Sequence, residues 1–100
     1  MIFNVSFSFS AINDINHAFN WYEKQSPGLG WAFRNEIAIC VEKINTDKIS
    51  YRQFVPGAYK IGLKRFPYQL YFLKREETLT LTIIAVLHNR RHPSEIGKRL

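Results

Sequence analysis

The side chains best suited to chemistry are basic and lie in the last third of the chain. The apolar run of residues 83–87 leads directly into His88, Arg90, Arg91 and His92. Guanidinium and imidazole groups donate hydrogen bonds to phosphates and carboxylates. This order of residues therefore predicts a cationic cluster at the rigid end of a strand, which suits an anionic partner. Because His88 and His92 have no further ligands beside them, they do not make a zinc site, and we predict no metal and no cofactor.

Three more basic residues stand near the middle of the chain. Lys60 and Lys64 are four residues apart, so in one continuous strand both would project from the same side, with Arg65 beside them. Such a face could bring cations to a phosphate. A structural explanation is also open, because lysines that alternate with apolar residues usually form the solvated face of a strand. Likewise, Arg65 could simply flank a turn, and His88 could cap or pack at the end of its strand.

The composition limits the class of protein. Fourteen Lys and Arg against eight Asp and Glu give 14 − 8 = +6, which favours nucleic acid, the ribosome or an acidic protein as partner. One hundred residues with 46% hydrophobic content predict a single domain over residues 1–100. Cys40 is the only cysteine, so no intramolecular disulfide is possible and a reducing cytosol is indicated. The chain lacks a secretory pattern and any run of about 18 apolar residues, so we expect a cytoplasmic protein without membrane contact.

A strand and a helix are predicted at the N-terminus. The strand is predicted from four partly alternating apolar residues: Ile2, Val5, Phe7 and Phe9. Ser10 is then expected to cap a helix that runs from residue 11 to about residue 25. Apolar residues recur in it every three or four positions and predict one buried stripe. The members of this stripe are Ile12, Ile15, Ala18, Phe19 and Tyr22.

A second helix should pack against the first. Residues 26–30 read Ser-Pro-Gly-Leu-Gly and end the first helix, since proline cannot continue its hydrogen bonds and glycine adopts left-handed dihedral angles. The second apolar stripe consists of Phe33, Ile37, Cys40, Val41 and Ile44. Two amphipathic helices joined by so short a turn predict an antiparallel hairpin, whose apolar side needs a sheet to cover it.

The second half supplies the sheet. Strands are predicted at residues 51–55, 59–64, 69–74 and 79–87. The last of these is continuously apolar over residues 83–87, the pattern of a central strand covered on both faces. Tyr68 and Tyr71 are expected to pack within or across strands, and residues 94–100 to form a short helix or a tail. The predicted fold class is therefore α+β, a helix hairpin packed on a mainly antiparallel sheet.

Three segments carry a family resemblance. WYEKQSPGLGWAF at residues 21–33, RFPYQLYF at residues 65–72 and IIAVLHNRRHP at residues 83–93 resemble, in this order and spacing, the RelE/ParE superfamily of bacterial toxins. The resemblance implies the toxin of a type II toxin–antitoxin pair, also called a plasmid stabilization protein. It further implies a small cognate antitoxin as partner, a hetero-oligomeric complex, and a helix hairpin on an antiparallel sheet.

The resemblance implies two alternative mechanisms. RelE-like members cut mRNA in the ribosomal A site without a metal, a reaction that needs a base, cations around the phosphorane and an acid. On that alternative Lys60 or Lys64 is the base and His88 or Tyr71 the acid. The catalytic set would be Lys60, Lys64, Arg65, His88 and Arg90. ParE-like members act on DNA gyrase and are not themselves nucleases. The predicted target-binding residues are Arg90, Arg91, Lys98 and Arg99.

The ParE-like alternative is favoured slightly. The tract Trp21-Tyr22-Glu23 with the following Pro-Gly-Leu-Gly, and the HNRRHP segment, look more like the ParE branch than like the ribosomal nucleases. Lys60 stands where many relatives carry arginine. A gyrase-directed toxin is therefore the first hypothesis, and a ribosome-dependent mRNA endonuclease the second. A third is an inactive homologue that serves only as a binding module.

Overall fold

The computed structural model describes residues 2–100 as an α+β fold, which confirms the predicted fold class. Its elements are β1 (Asn4–Phe7), α1 (Phe9–Gln25), α2 (Leu29–Asn45), β2 (Arg52–Val55), β3 (Ala58–Gly62), β4 (Tyr68–Arg75), β5 (Thr80–His88) and α3 (Ser94–Gly97). The five strands form one sheet in the order β1-β5-β4-β3-β2. β1 runs parallel to β5 and every other pair is antiparallel. Within residues 2–100, no helix combines the length and hydropathy that a membrane span requires.

The main hydrophobic core lies between the α1–α2 hairpin and one face of the sheet. Both helices and strands β3 to β5 send apolar side chains into it, and Phe33, Leu70, Phe72, Leu81 and Ile83 are its fully buried members. A smaller core covers the other face, where Ile96 of α3 packs with Tyr71, Ile84, Ala85 and Leu87. β5 is therefore covered on both faces, as its continuous apolar run predicts.

A β-bulge explains why that run is not alternating. Tyr71 of β4 pairs with Ala85, but Phe72 pairs with Ile83, so Ile84 is an extra residue in β5. Ile83 points into the main core, whereas Ile84 and Ala85 both belong to the smaller core. An extra residue shifts every later side chain to the opposite face. The bulge thereby lets consecutive apolar residues serve two cores.

The start of α1 differs from the sequence prediction. The helix begins at Phe9, and its N-cap is Ser8, whose side-chain oxygen accepts a hydrogen bond from the Ala11 N–H at 3.1 Å. The predicted cap at Ser10 and the predicted strand position of Phe9 are therefore wrong. Because Ser8 satisfies an N–H that the first turn leaves free, the helix begins two residues earlier, and Phe9 is 80% exposed. Ile12, predicted to be buried, is also largely exposed at 44%.

Two features fix the turn between the helices: hydrogen bonds to Glu23 and the close approach of the helices at Gly30. Gly28 has φ +92° and precedes α2 without a capping side chain, so Glu23 of α1 takes that role. Its carboxylate accepts hydrogen bonds from the N–H groups of Gly28 at 3.1 Å and Gly30 at 2.8 Å. At Gly30 the helices approach so closely that an added Cβ would lie 2.6 Å from the Phe19 carbonyl oxygen. The hairpin thus requires a glycine at position 30.

Replacement of Gly30 by alanine should lower the free energy of unfolding. Because the new methyl group meets the Phe19 backbone as well as the Glu23 and Phe19 side chains, we expect a loss of about 1–3 kcal/mol. Urea denaturation monitored by circular dichroism measures it. Gly97→Ala is the matched control, since a Cβ at Gly97 meets nothing within 4 Å. Equal stability of the two variants would contradict the close approach.

Candidate functional site

Lys60 lies on the face of the sheet that the hairpin does not cover. Its strand neighbours Tyr59 and Ile61 point into the main core, so Lys60 faces the other way, opposite Tyr71 of β4. The Lys60 ammonium is 5.8 Å from the centre of the Phe54 ring. Tyr71 is buried against Phe54 in the smaller core, and that burial raises the pKa of its phenol. The position of Tyr71 therefore fits the interpretation that it packs across strands better than the alternative that it is a general acid.

Lys64 and Arg65 lie elsewhere, in the loop between β3 and β4. They line a groove of about 240 Å³ against α2, and the Arg65 backbone N–H donates to the Glu36 carboxylate at 3.1 Å. β3 ends at Gly62, so Lys60 and Lys64 do not project from the same side of one strand, contrary to the prediction. Cys40 lines the same groove, and burial raises the pKa of its thiol to about 11, which makes it an inert, mostly buried residue.

His88 lies at the end of β5 on the hairpin side of the sheet. Its ring contacts the Tyr68 ring edge to face at a centroid distance of 5.2 Å. Its Nδ1 accepts a hydrogen bond from the Arg90 N–H at 3.0 Å. His88 lines a groove of about 300 Å³, which we call the α1–β5 groove. The residues that line it are Asn13, Asp14, His17, Ala18, Tyr68, Val86, His88 and Arg91.

His17 is the residue of this groove that sequence reasoning missed. It is exposed on α1 and reaches the groove only because α1 packs beside β5. The one signal in the sequence is helical spacing, since His17 follows Asp14 by three residues and so lies near the same face. That spacing alone does not indicate which strand the face will meet.

The turn after β5 presents Arg90 and Arg91 on a fixed backbone. The Arg91 N–H donates to the His88 carbonyl at 2.8 Å, and the Asn89 N–H donates to the Pro67 carbonyl at 2.8 Å. The Arg90 side chain is exposed. The Arg91 guanidinium pairs with Glu95, holds the pKa of that carboxyl below its usual value, and remains 52% exposed. Both arginines are therefore accessible to a partner.

The two basic residues at the C-terminus differ from each other. Lys98 is exposed, whereas the Arg99 side chain is only 17% exposed and contacts Asp14 at 2.6 Å. The Arg99 guanidinium also donates to the Ile84 carbonyl at 3.0 Å and to Glu95 at 3.1 Å. The hydrogen bond to Asp14 raises the pKa of Arg99. We therefore assign Arg99 a structural role, because its donors are taken up by internal partners, in place of the predicted target contact.

The predicted catalytic set is not assembled in one place. Lys60 lies on the sheet face opposite the helix hairpin. Lys64 and Arg65 lie beside α2, and His88 lies with Arg90 and Arg91 at the end of β5. Arg90, Arg91 and Lys98 are exposed on the turn and the short helix that follow β5, and we call these three side chains the β5-end surface. Among residues 2–100 there is no group of three or more side chains that could hold a metal ion.

Comparison with known proteins agrees with this architecture. A chain of the chromosomal ParDE TA system from P. aeruginosa has a similar structure, with a TM-score of 0.72, 16% identity, and coverage of 87% of this chain and 96% of that one. The isolated E. coli RelE toxin gives a TM-score of 0.55 at 21% identity, covering 99% of this chain and 98% of that one. A chain of the intact E. coli RelBE toxin–antitoxin complex gives 0.52 at 18% identity, with 91% and 100% covered. These likenesses show the fold.

The family follows from the sequence match. No curated protein sequence matches the chain significantly. Residues 5–93, most of the chain, match the sequence profile of the family described as ParE toxin of type II toxin–antitoxin system, parDE. The chain therefore belongs to the ParE toxin family of type II toxin–antitoxin systems.

Proposed function

We propose that this toxin arrests growth by acting on DNA gyrase and that it contacts its target through the β5-end surface. The observation that carries the proposal is the family match over residues 5–93, because ParE-like members are the gyrase-directed branch of the superfamily that the sequence resembles. The separation of Lys60, Lys64 and His88 into three places supports it further. A nuclease needs its base, its acid and its cations around one phosphate.

Charge and rigidity support the β5-end surface as the contact. Arg90 and Arg91 follow a strand that is buried on both faces, and the turn that holds them is hydrogen-bonded to the β3–β4 loop. Because the backbone of this turn is already fixed, mainly the arginine side chains have to be ordered when a partner binds. The net charge of +6 favours approach to an anionic surface.

The same cations suit an antitoxin. A solved structure of E. coli RelE contains a peptide of its antitoxin RelBc, and another contains the intact RelBE toxin–antitoxin complex. We propose that the present toxin likewise binds an acidic cognate antitoxin in the cytoplasm and forms a hetero-oligomer with it. An antitoxin that covers the β5-end surface would block the toxin and its target at the same site.

Reversal of two charges tests the target contact. Purified toxin is added to a gyrase supercoiling assay, and the Arg90→Glu/Arg91→Glu variant is compared with it. We expect the variant to inhibit at least tenfold less well, about 1.4 kcal/mol in affinity. Lys48→Glu/Arg75→Glu is the matched control, because both of its residues are exposed and its charge change is the same. Equal inhibition by the two double variants would contradict the β5-end surface as the contact.

Two further experiments test the alternatives to gyrase inhibition, which are mRNA cleavage and an inactive homologue. The second candidate, ribosome-dependent mRNA cleavage, has the RelE-like fold in its favour. Incubation with programmed ribosomes and primer extension would then give codon-phased cuts while gyrase stays active. Expression in a bacterium without the antitoxin tests toxicity itself, and healthy colonies at confirmed soluble expression would indicate an inactive homologue.

A further inference from the structure

We propose that the α1–β5 groove is a phosphate-binding site in which His17, His88 and Arg91 hold one backbone phosphate of a nucleic acid. The groove brings two imidazoles, one guanidinium and one phenol to a single concave surface. Its volume of about 300 Å³ is about ten times the share of one water in the liquid, ~30 Å³. A phosphate group with part of its attached sugar fits in such a space.

The hydrogen bond at His88 leaves a donor for an anion. Its Nδ1 accepts from the Arg90 N–H at 3.0 Å, so in the neutral ring the hydrogen is on Nε2. The neutral imidazole can therefore donate one hydrogen bond, from Nε2, to a phosphate oxygen. His17 contributes a second imidazole from α1. Arg91 has five N–H donors, and its pairing with Glu95 leaves part of the guanidinium exposed.

The acidic residue of the groove does not oppose an anion. The Asp14 carboxylate contacts the Arg99 guanidinium at 2.6 and 3.2 Å, and it also accepts from the Val86 N–H at 3.0 Å. Its negative charge is thus compensated from behind the groove. Glu95 contacts both Arg91 and Arg99, so Asp14, Glu95, Arg91 and Arg99 form one cluster of two negative and two positive charges, in which the Arg91 side chain remains 52% exposed.

Arg91 lines the groove together with Tyr68. Burial raises the pKa of the Tyr68 phenol, whereas its hydrogen bond with Tyr22 and the positive charge of Arg91 act against that rise. The Tyr68 ring contacts the His88 ring at a centroid distance of 5.2 Å. Because His17 lies on a long helix and His88 on a central strand, the backbones that carry the two imidazoles are fixed before the ligand arrives.

The location gives the site a role distinct from that of the β5-end surface. Arg90 and Lys98 are exposed and do not line the groove, so they can contact a protein or a nucleic acid. Arg90 adjoins the groove through its neighbour Arg91, which lines it. A strand of nucleic acid that places one phosphate in the groove would therefore have its neighbouring phosphates near Arg90.

Titration with phosphate tests the site directly. The purified full chain is titrated with inorganic phosphate and with pyrophosphate while the histidine ring signals are followed by NMR. We expect both ligands to shift the signals of His17 and His88 and to leave that of His92 unchanged. His17→Glu should weaken binding at least tenfold, because it places a negative charge in the groove. His92→Ala is the control, since His92 is exposed and lies outside the groove, and its affinity should stay within twofold.

Oligonucleotides identify the source of the phosphate. Single-stranded DNA, duplex DNA and RNA of one sequence are titrated by fluorescence anisotropy against the wild type, His17→Ala and His92→Ala. Loss of binding in His17→Ala alone supports a nucleic-acid phosphate. Binding of inorganic phosphate together with His17-independent oligonucleotide binding would overturn the nucleic acid as ligand, and unshifted His17 and His88 signals would overturn the site itself. Neither assay contains gyrase or cells, so their outcome does not depend on the proposed function.

Thermal unfolding shows whether these variants are correctly folded. His17 is exposed, so His17→Ala and His17→Glu should melt within about 4 °C of the wild type, as surface substitutions usually do. If phosphate binding is lost while the melting temperature stays unchanged, the loss results from the change in the α1–β5 groove and not from unfolding. If binding fell only in parallel with the melting temperature, the assignment would be overturned.

Discussion

Replacement of Phe33 by alanine is expected to lower the free energy of unfolding by about 3–5 kcal/mol. Phe33 on α2 is fully buried. Its ring centroid lies 5.5 Å from that of Tyr22 on α1, 5.2 Å from Phe66 in the β3–β4 loop, and 5.0 Å from Tyr68 on β4. Truncation removes the centre of this aromatic cluster and leaves a cavity bordered by three elements that cannot all move inward.

The loss is large in proportion to the whole. A domain of this size has a free energy of unfolding of about 5–15 kcal/mol, so Phe33→Ala should place part of the population in the unfolded state at growth temperature. Urea denaturation gives the difference directly. Phe9→Ala is the matched control, because the same ring is removed from a site that is 80% exposed, and we expect a change within about 0.5 kcal/mol. A similar loss in the two variants would show that Phe33 is not at the centre of the core.

The second large effect is expected at the ion pair between Asp14 and Arg99. Asp14→Asn should lower the free energy of unfolding by about 2–4 kcal/mol, because it leaves the mostly buried positive charge of Arg99 with Glu95 as its remaining carboxylate partner. The side chains are 12% and 17% exposed, so water can replace the lost contact only in part. Asp14 also accepts from the Val86 N–H of β5, which ties α1, β5 and the C-terminal segment together at one carboxylate.

An exposed pair serves as the comparison for this effect. Asp47 lies 4.0 Å from Lys74, and the Asp47 side chain is 62% exposed. Asp47→Asn should change the free energy of unfolding by less than about 1 kcal/mol, and asparagine tolerates the positive φ of +57° at this position. A double-mutant cycle of Asp14→Asn with Arg99→Ala measures the coupling between the two groups. A coupling close to zero would contradict a structural role for Arg99.

Local sequence patterns determined the elements of this protein. Helical spacing identified both helices, and Pro27 with the neighbouring glycines marked the turn between them. The apolar run before His88 indicated a central strand covered on both faces. Each of these features depends on the dihedral preferences and the burial of neighbouring residues, which the order of amino acids specifies directly. The toxin superfamily was indicated separately, by the resemblance of three short segments to its members.

The tertiary structure alone decided which side chains meet. Sequence spacing placed Lys60 and Lys64 on one strand face, but the end of β3 at Gly62 separates them. His17 and His88 line one groove because α1 packs beside β5. Arg99 pairs with Asp14, which lies 85 residues away in the sequence. Such contacts depend on strand register, on the bulge at Ile84 and on the docking of α3. None of these is a local property of the chain, because one inserted residue moves a side chain to the other face. The sequence therefore determined the elements and the family, whereas long-range packing decided the composition of the candidate site.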